Sequence, residues 1–140
     1  MADKKALIQG LNKDLSNELG AAILYLYQTS VATGWDGEEL REFLTPEITG
    51  EMQHAIFLAE KIASLGGKPT TEPATHKCPK DVKGMLKYDV RLEREAIENY
   101  RQRCLQAEES GEIGLKVKLE ELIVEETGHA EQIERILKGM

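Results

Sequence analysis

Twice in this chain a glutamate is followed 33 residues later by a second glutamate and, three positions beyond that, by a histidine: Glu18, Glu51 and His54, then Glu93, Glu126 and His129. All six lie on apolar stripes that advance by alternating three- and four-residue steps, the period of one helical face. Glu18 stands between Leu15 and Ala22, and Glu51 with His54 between Ile48 and Leu58. Glu93 follows Leu86 and Asp89 and precedes Ala96 and Tyr100, while Glu126 and His129 lie between Leu122 and Ile133. An ionised carboxylate in an apolar core costs several kcal/mol unless it is paired or coordinates a metal. Four carboxylates and two imidazoles on core stripes therefore need a shared partner. Glutamate is abundant here, 20 of 140 residues, so one Glu-x-x-His is weak evidence. Two of only three histidines repeat it at equal spacing, which is strong.

The four prolines and twelve glycines fall in clusters that cut the chain into four stretches of helical period, so the class is all-α. The first, about Lys4 to Thr33, carries Leu7, Leu11, Leu15, Ala22, Tyr25 and Thr29 and leads to a turn at Gly34-Trp35-Asp36-Gly37. The second, about Glu38 to Leu65, opens with acidic residues that suit a helix N-terminus and stops at Gly66-Gly67. Pro46 inside it predicts a kink, or a break one turn earlier. Lys68 to Pro79 holds three prolines and three threonines without a period, a loop long for a bundle connection. A third stretch runs from about Lys80 to Ser110 and a fourth from about Glu112 to Lys138.

Two short connections and one long one describe two antiparallel hairpins joined by a crossover, a four-helix bundle forming a single domain over residues 1–140. In a hairpin, residues equidistant from the turn share a height. The midpoint of 18 and 51 falls in the first turn, and that of 93 and 126 beside Ser110-Gly111. Each lone glutamate thus faces its Glu-x-x-His, and docking the hairpins gathers all six side chains at one level. A Glu plus Glu-x-x-His from each half is the known pattern of dinuclear carboxylate bundles. Hard oxygens with one imidazole per ion suit iron or manganese, with Glu18, Glu93 or the Glu-x-x-His glutamates able to bridge. Glu95 competes for the third-helix position, but it lies about 200° round the helix from Glu93 and breaks the repeat.

The formal charge is 18 − 25 = −7 with no Lys/Arg cluster, so cations rather than nucleic acid are the expected partners. No run approaches the roughly 18 apolar residues of a membrane span, and MADKKALIQG has no apolar stretch before a cleavage site. A cytoplasmic protein is expected, with Cys78 and Cys104 as free thiols and His76 as a solvated loop histidine.

The segments N-K-D-L-S-N-E-L (12 to 19), E-M-Q-H-A (51 to 55), D-V-R-L-E (89 to 93) and E-E-T-G-H (125 to 129) resemble, in order and spacing, the ligand-bearing helices of the ferritin superfamily, and within it the bacterioferritins. The likeness spans nearly the whole chain and implies a ferritin-like bundle with a ferroxidase centre. Glu18, Glu51, His54, Glu93, Glu126 and His129 would bind two irons, O2 or H2O2 would oxidise Fe(II), and Fe(III) mineral would be stored in a homo-oligomeric shell. The resemblance also makes Met52, directly after Glu51, an axial ligand of haem b or a related iron-porphyrin shared by two subunits. One residue on from Glu51, it points about 100° away, out of the bundle; a methionine filling an interface gap is the plainer reading. Tyr25 matches the family tyrosine that gives up an electron during O2 reduction, and Trp35 matches as well; aromatic packing is the plain alternative for both.

The chain ends at Met140, just after the fourth stretch, without the bacterioferritins' short fifth helix, and in this it resembles twelve-subunit mini-ferritins. A dodecamer is expected ahead of a 24-subunit shell or a dimer. Starvation-type mini-ferritins build their iron site between subunits, whereas this chain carries a full ligand set. Cys78 and Cys104 invite comparison with the paired cysteines of thioferritins, but they are 26 residues apart. Along an unbroken helix that is about 39 Å, too far for a disulfide. Two other functions share the ligand pattern. A rubrerythrin-like peroxidase would reduce peroxide without storing mineral, although the chain has no Cys-x-x-Cys pair. A DNA-coating mini-ferritin would need a lysine-rich tail where only Lys4 and Lys5 stand.

Overall fold

The computed structural model describes residues 3–140; Met1 and Ala2, the first two of the expected domain, lie outside the described residues. Among the described residues there are four helices and no strand: α1 (Lys4–Val31), α2 (Gly34–Ser64), α3 (Val82–Glu109) and α4 (Ile113–Lys138). Asp3 starts α1 by accepting a hydrogen bond from Lys5 N at 2.9 Å, and Asp81 starts α3 by accepting one from Gly84 N at 3.0 Å. Each supplies an acceptor for a first-turn N–H that has none within the helix.

The first turn is tighter than the glycines suggest. Gly34 to Gly37 are already the first turn of α2, and only Ala32 and Thr33 connect the helices. Gly34 adopts φ 77°, left-handed backbone that lets the chain reverse at once. Arg41 then closes the end of α1, donating to Thr29 O at 2.5 Å and to Ala32 O at 3.3 Å. Pro46 does not interrupt α2, which is continuous from Gly34 to Ser64. Pro46 and Glu42, whose carbonyl loses its usual donor, are both exposed, so water can serve that carbonyl. Trp35 is 89% exposed, so the core packing considered for it does not occur.

The helices pack as the α1/α2 and α3/α4 hairpins, with α1 also against α3. Polar bonds between α1 and α3 fix their direction: residues 14, 18, 25 and 28 meet 103, 100, 93 and 89 in that order, so the helices are antiparallel. The core is split in two. One apolar plug contains Leu7, Leu11, Leu58, Ile62, Leu115 and Leu119; the other contains Leu24, Leu40, Leu44, Met85, Leu86 and Ile133. The six residues of the repeated pattern lie between them, in the middle of the rods. Burying the plugs, at about 25 cal/mol per Å² of apolar surface, holds the polar layer in place. No helix is long and apolar enough to cross a membrane, among the described residues.

Candidate metal centre

Glu18 on α1, Glu51 and His54 on α2, Glu93 on α3 and Glu126 on α4 are all buried, and His129 on α4 is half-buried. They form two overlapping groups. Glu18, Glu51, His54 and Glu126 bring one donor atom each within 4.8 Å of one another, and so do Glu51, Glu93, Glu126 and His129. Glu51 and Glu126 belong to both groups and would be the pair shared by two ions, whereas Glu18 and Glu93 belong to one group each. Glu95, exposed on α3, is outside both.

The donor atoms test whether a metal pair fits. Glu18 Oε2, Glu51 Oε1, His54 Nδ1, Glu93 Oε2, Glu126 Oε1 and His129 Nδ1 are all buried without a hydrogen-bond partner. Each of the six residues therefore offers one unsatisfied atom to the same space. Buried polar atoms are nearly always paired, and a cation is the partner that satisfies six acceptors together. The histidines are oriented for this from behind. His54 Nε2 meets Glu125 Oε2 at 2.5 Å and His129 Nε2 meets Glu47 Oε2 at 2.8 Å. A carboxylate on the outer nitrogen fixes the ring and leaves Nδ1 to face a metal.

Without a cation the cluster carries its own protons. Burial, followed by the charges of Glu18 and Glu126, pushes Glu51 well above the usual carboxyl range. Burial and neighbouring Glu126 do the same to Glu93, and burial raises Glu126. Burial also acts upward on Glu18, but contact with Glu51 and His54 outweighs it and holds Glu18 below its ordinary value. Burial disfavours a charged His54, yet Glu126 and Glu18 beside it win and raise its pKa to about 11. His129 is raised, with burial opposed by Glu47 and Glu93. Metal ligands must shed such protons to bind.

Two tyrosines back the lone glutamates. Tyr25 donates to Glu93 Oε1 at 2.7 Å, and Tyr100 donates to Glu18 Oε1. Both are fully buried, and burial raises both hydroxyls well above the ordinary phenol range, so they remain proton donors. Tyr25 was expected at the centre, but Tyr100 is not singled out by the glutamate and histidine spacing. Its signal is a further repeat. Each residue of the second half lies 75 positions after its counterpart, as 93 − 18 and 129 − 54 both show, and Tyr100 is Tyr25 plus 75.

The same offset relates Asp14 to Asp89 and Gln28 to Arg103. Both aspartates are buried one turn before a lone glutamate, and each meets the matching position of the opposite helix. Arg103 grips Asp14 with two bonds, Nε to Oδ2 at 2.7 Å and Nη2 to Oδ1 at 3.0 Å, whereas Gln28 Nε2 donates to Asp89 Oδ1 at 2.8 Å. Burial raises Asp14 despite Arg103. Asp89, with only an amide partner and Glu93 nearby, is pushed up to about 8, burial being the main cause.

His76 departs from expectation. It is half-buried rather than solvated, and its Nδ1 lies 2.9 Å from Tyr88 Oη. Cys78 is exposed, Cys104 is buried, and both are free thiols. Met52 is 40% exposed on the outside of α2, with Ile56 one turn on.

The chain is similar to known proteins along nearly its whole length. Residues 8–140 match the family model described as the ferritin-like domain. The bacterioferritin of Desulfovibrio desulfuricans is 34% identical over 96% of this chain and 76% of its own length. A crystal structure of that bacterioferritin, described with its diiron site, superposes with a TM-score of 0.89 at 32% identity, covering 96% of this chain and 80% of the other. A ferritin-like diiron-carboxylate protein from Bacillus anthracis gives a TM-score of 0.94 at 42% identity, covering 98% of this chain and 99% of the other. With the family model matched over residues 8–140 and a relative 34% identical over nearly the whole chain, the chain belongs to the ferritin-like domain family.

Proposed function

We propose that this chain is an iron-storage ferroxidase: it oxidises Fe(II) to Fe(III) with O2 or H2O2 at a di-iron centre within each subunit and keeps the mineral in a homo-oligomeric shell. One observation carries this reading: six buried donor atoms, one from each of Glu18, Glu51, His54, Glu93, Glu126 and His129, converge on one another with no hydrogen bond, His54 Nδ1 lying 3.3 Å from Glu126 Oε1 and 3.5 Å from Glu18 Oε2. Bound there, two iron ions supply the two electrons that O2 or peroxide takes up. The chain does the rest. Glu51 and Glu126 would hold the ions as a pair, and His54 and His129, braced by Glu125 and Glu47, would give each ion one nitrogen. Four carboxylates favour the ferric state because hard oxygen donors stabilise the higher charge. Tyr25, whose hydroxyl donates to Glu93, would give up one electron and its proton only where O2 is reduced past the peroxide level, the iron pair covering the first two electrons.

A haem b or related porphyrin fits the exposed Met52 thioether on the outer face of α2. Apolar side chains exposed on α1 and α2, including Ile23, Leu26, Tyr27 and Ile56, suit a contact with a second copy. We further propose one ferritin-like domain over residues 1–140, a cytoplasmic role in limiting oxidative stress, and an assembly of twelve subunits in preference to twenty-four or two.

The test joins particle mass to iron loading. Anaerobic titration should take up two Fe(II) per chain, and repeated additions in air should leave a large particle retaining many irons per subunit. A dimer that stops at two irons and consumes peroxide would replace storage with a rubrerythrin-like peroxidase activity.

A further inference from the structure

The crossover segment is strapped to α1 rather than left in solvent. Asn12 Nδ2 donates to Lys68 O at 3.0 Å, and Asn12 Oδ1 accepts from Thr70 N at 2.8 Å. Ser16 Oγ donates to Glu72 O at 2.8 Å, and Ser16 O accepts from Ala74 N at 2.9 Å. At Gly20 the strap comes so close that a Cβ would run into Ala74 O. Positions 12, 16 and 20 share one helix face, so the strap follows a stripe of α1 and carries His76 to a definite place.

That place is the mouth of the pocket above the metal centre. The pocket's floor is the four buried glutamates of the centre, and its walls include Ala21, Leu92 and Ala96. Its outer residues are Asn17, His76 and Asn99, all half-buried, and the exposed Glu95. The His76 ring stands edge-on to Tyr88, with centroids 5.6 Å apart, and Nδ1 is engaged with the Tyr88 hydroxyl. Nε2 is buried and has no partner. With the ring proton on Nδ1 and donated to Tyr88 Oη, Nε2 presents its lone pair. Burial lowers the ring's pKa, which favours the neutral form a ligand needs, and the nearby charge acting on it is Glu95.

We propose that His76 Nε2 and the Glu95 carboxylate form a docking site for a divalent cation at this mouth, the port through which Fe(II) reaches the centre; this rests on the ferroxidase reading above. One imidazole, one carboxylate and the amide oxygens of Asn17 and Asn99 match a borderline ion such as Fe(II). A single negative charge holds it weakly, and the four carboxylates below hold it better, so the cation passes inward. The length of the crossover and its anchorage at Asn12, Ser16 and Gly20 serve to position His76.

Co(II) tests the port without turnover. Its visible absorbance, followed by anaerobic stopped-flow mixing, reports filling of the centre. In His76→Ala and in Glu95→Gln, filling at low Co(II) should slow about tenfold, the lower end of what a charged, focusing cleft adds to an on-rate. The end point should stay at two per chain, because the six donors are untouched. Filling of His76→Ala at the unmodified rate overturns the port. Should that variant disturb the strap, Glu95→Gln, a same-shape change at an exposed position, carries the test, and an unchanged rate there overturns it equally. Failure of the unmodified protein to take up a Co(II) pair is a different result: it removes the di-iron reading and the port with it.

Discussion

Tyr25 on α1 donates to Glu93 on α3 at 2.7 Å, and Tyr100 on α3 returns the same bond to Glu18 on α1, so each half of the bundle braces the lone glutamate of the other. Replacing Tyr25 with Phe leaves the ring packing and removes the donor. A buried oxygen of Glu93 then loses its partner, a cost of about 1–3 kcal/mol. Tyr25→Phe should therefore unfold at lower denaturant in the metal-free state. It should also lose any tyrosyl radical seen by electron paramagnetic resonance when the iron-loaded protein meets O2. Tyr100→Phe should show the stability loss; a radical that persists in Tyr25→Phe and vanishes in Tyr100→Phe would reverse the two roles.

Glu51 lies in both donor groups and Glu18 in one. Calorimetric titration with Co(II) should find two sites in the unmodified chain, one in Glu18→Ala and none of comparable affinity in Glu51→Ala. Metal that binds only the folded state stabilises it, by about 2.7 kcal/mol at a free concentration a hundred times Kd. The rise in Tm on adding Co(II) should thus be largest in the unmodified chain and absent in Glu51→Ala. Equal losses in the two variants would contradict the bridging assignment.

Met52 faces outward, away from the donor groups. Protein purified from cells supplied with haem precursor should show a Soret band that Met52→Leu removes, while Co(II) uptake at the centre is unchanged. A colourless preparation from the same cells would leave Met52 as an interface side chain only.

The six donors were legible in the sequence because helical period and hairpin midpoints are local arithmetic, and both survive errors of a residue or two in the helix ends. The first turn shows how large those errors are. Gly34 marks a reversal, but its φ of 77° begins α2 instead of preceding it, and the Arg41 bonds that allow so short a link join residues nine and twelve apart. Asp14 and Arg103 look like any other charged helix residues in a chain that is 31% charged. Only the 75-residue offset, or the fold, brings them together. His76 is least legible of all, since its position depends on a loop backbone bonded to Ser16, a contact across 58 residues that no local pattern encodes.

Asp89 offers a test of that hidden layer. Its counterpart Asp14 has an arginine, but Asp89 has only Gln28, and its remaining oxygen Oδ2 is buried without a partner, as is Gln28 Oε1. A proton on the carboxyl supplies the missing donor, consistent with a pKa raised to about 8 by burial. In the unfolded chain the same carboxyl titrates near 3.9. The folded state therefore binds more protons between these values, so this group favours folding fully below about pH 4, and that contribution is lost as pH rises through about 8. Asparagine copies the protonated shape and cannot ionise: its amide can donate to Gln28 Oε1 while its oxygen keeps the bond from Gln28 Nε2. Asp89→Asn should raise metal-free stability at pH 7, because asparagine removes the cost of protonating the folded carboxyl above its unfolded pKa, at most about 1.4 kcal/mol for each pH unit above about 4. The gain should shrink toward pH 4. Urea unfolding of both proteins across that range checks it, and a loss of stability at every pH would mean that Asp89 is ionised in the fold and held by a partner other than its own proton.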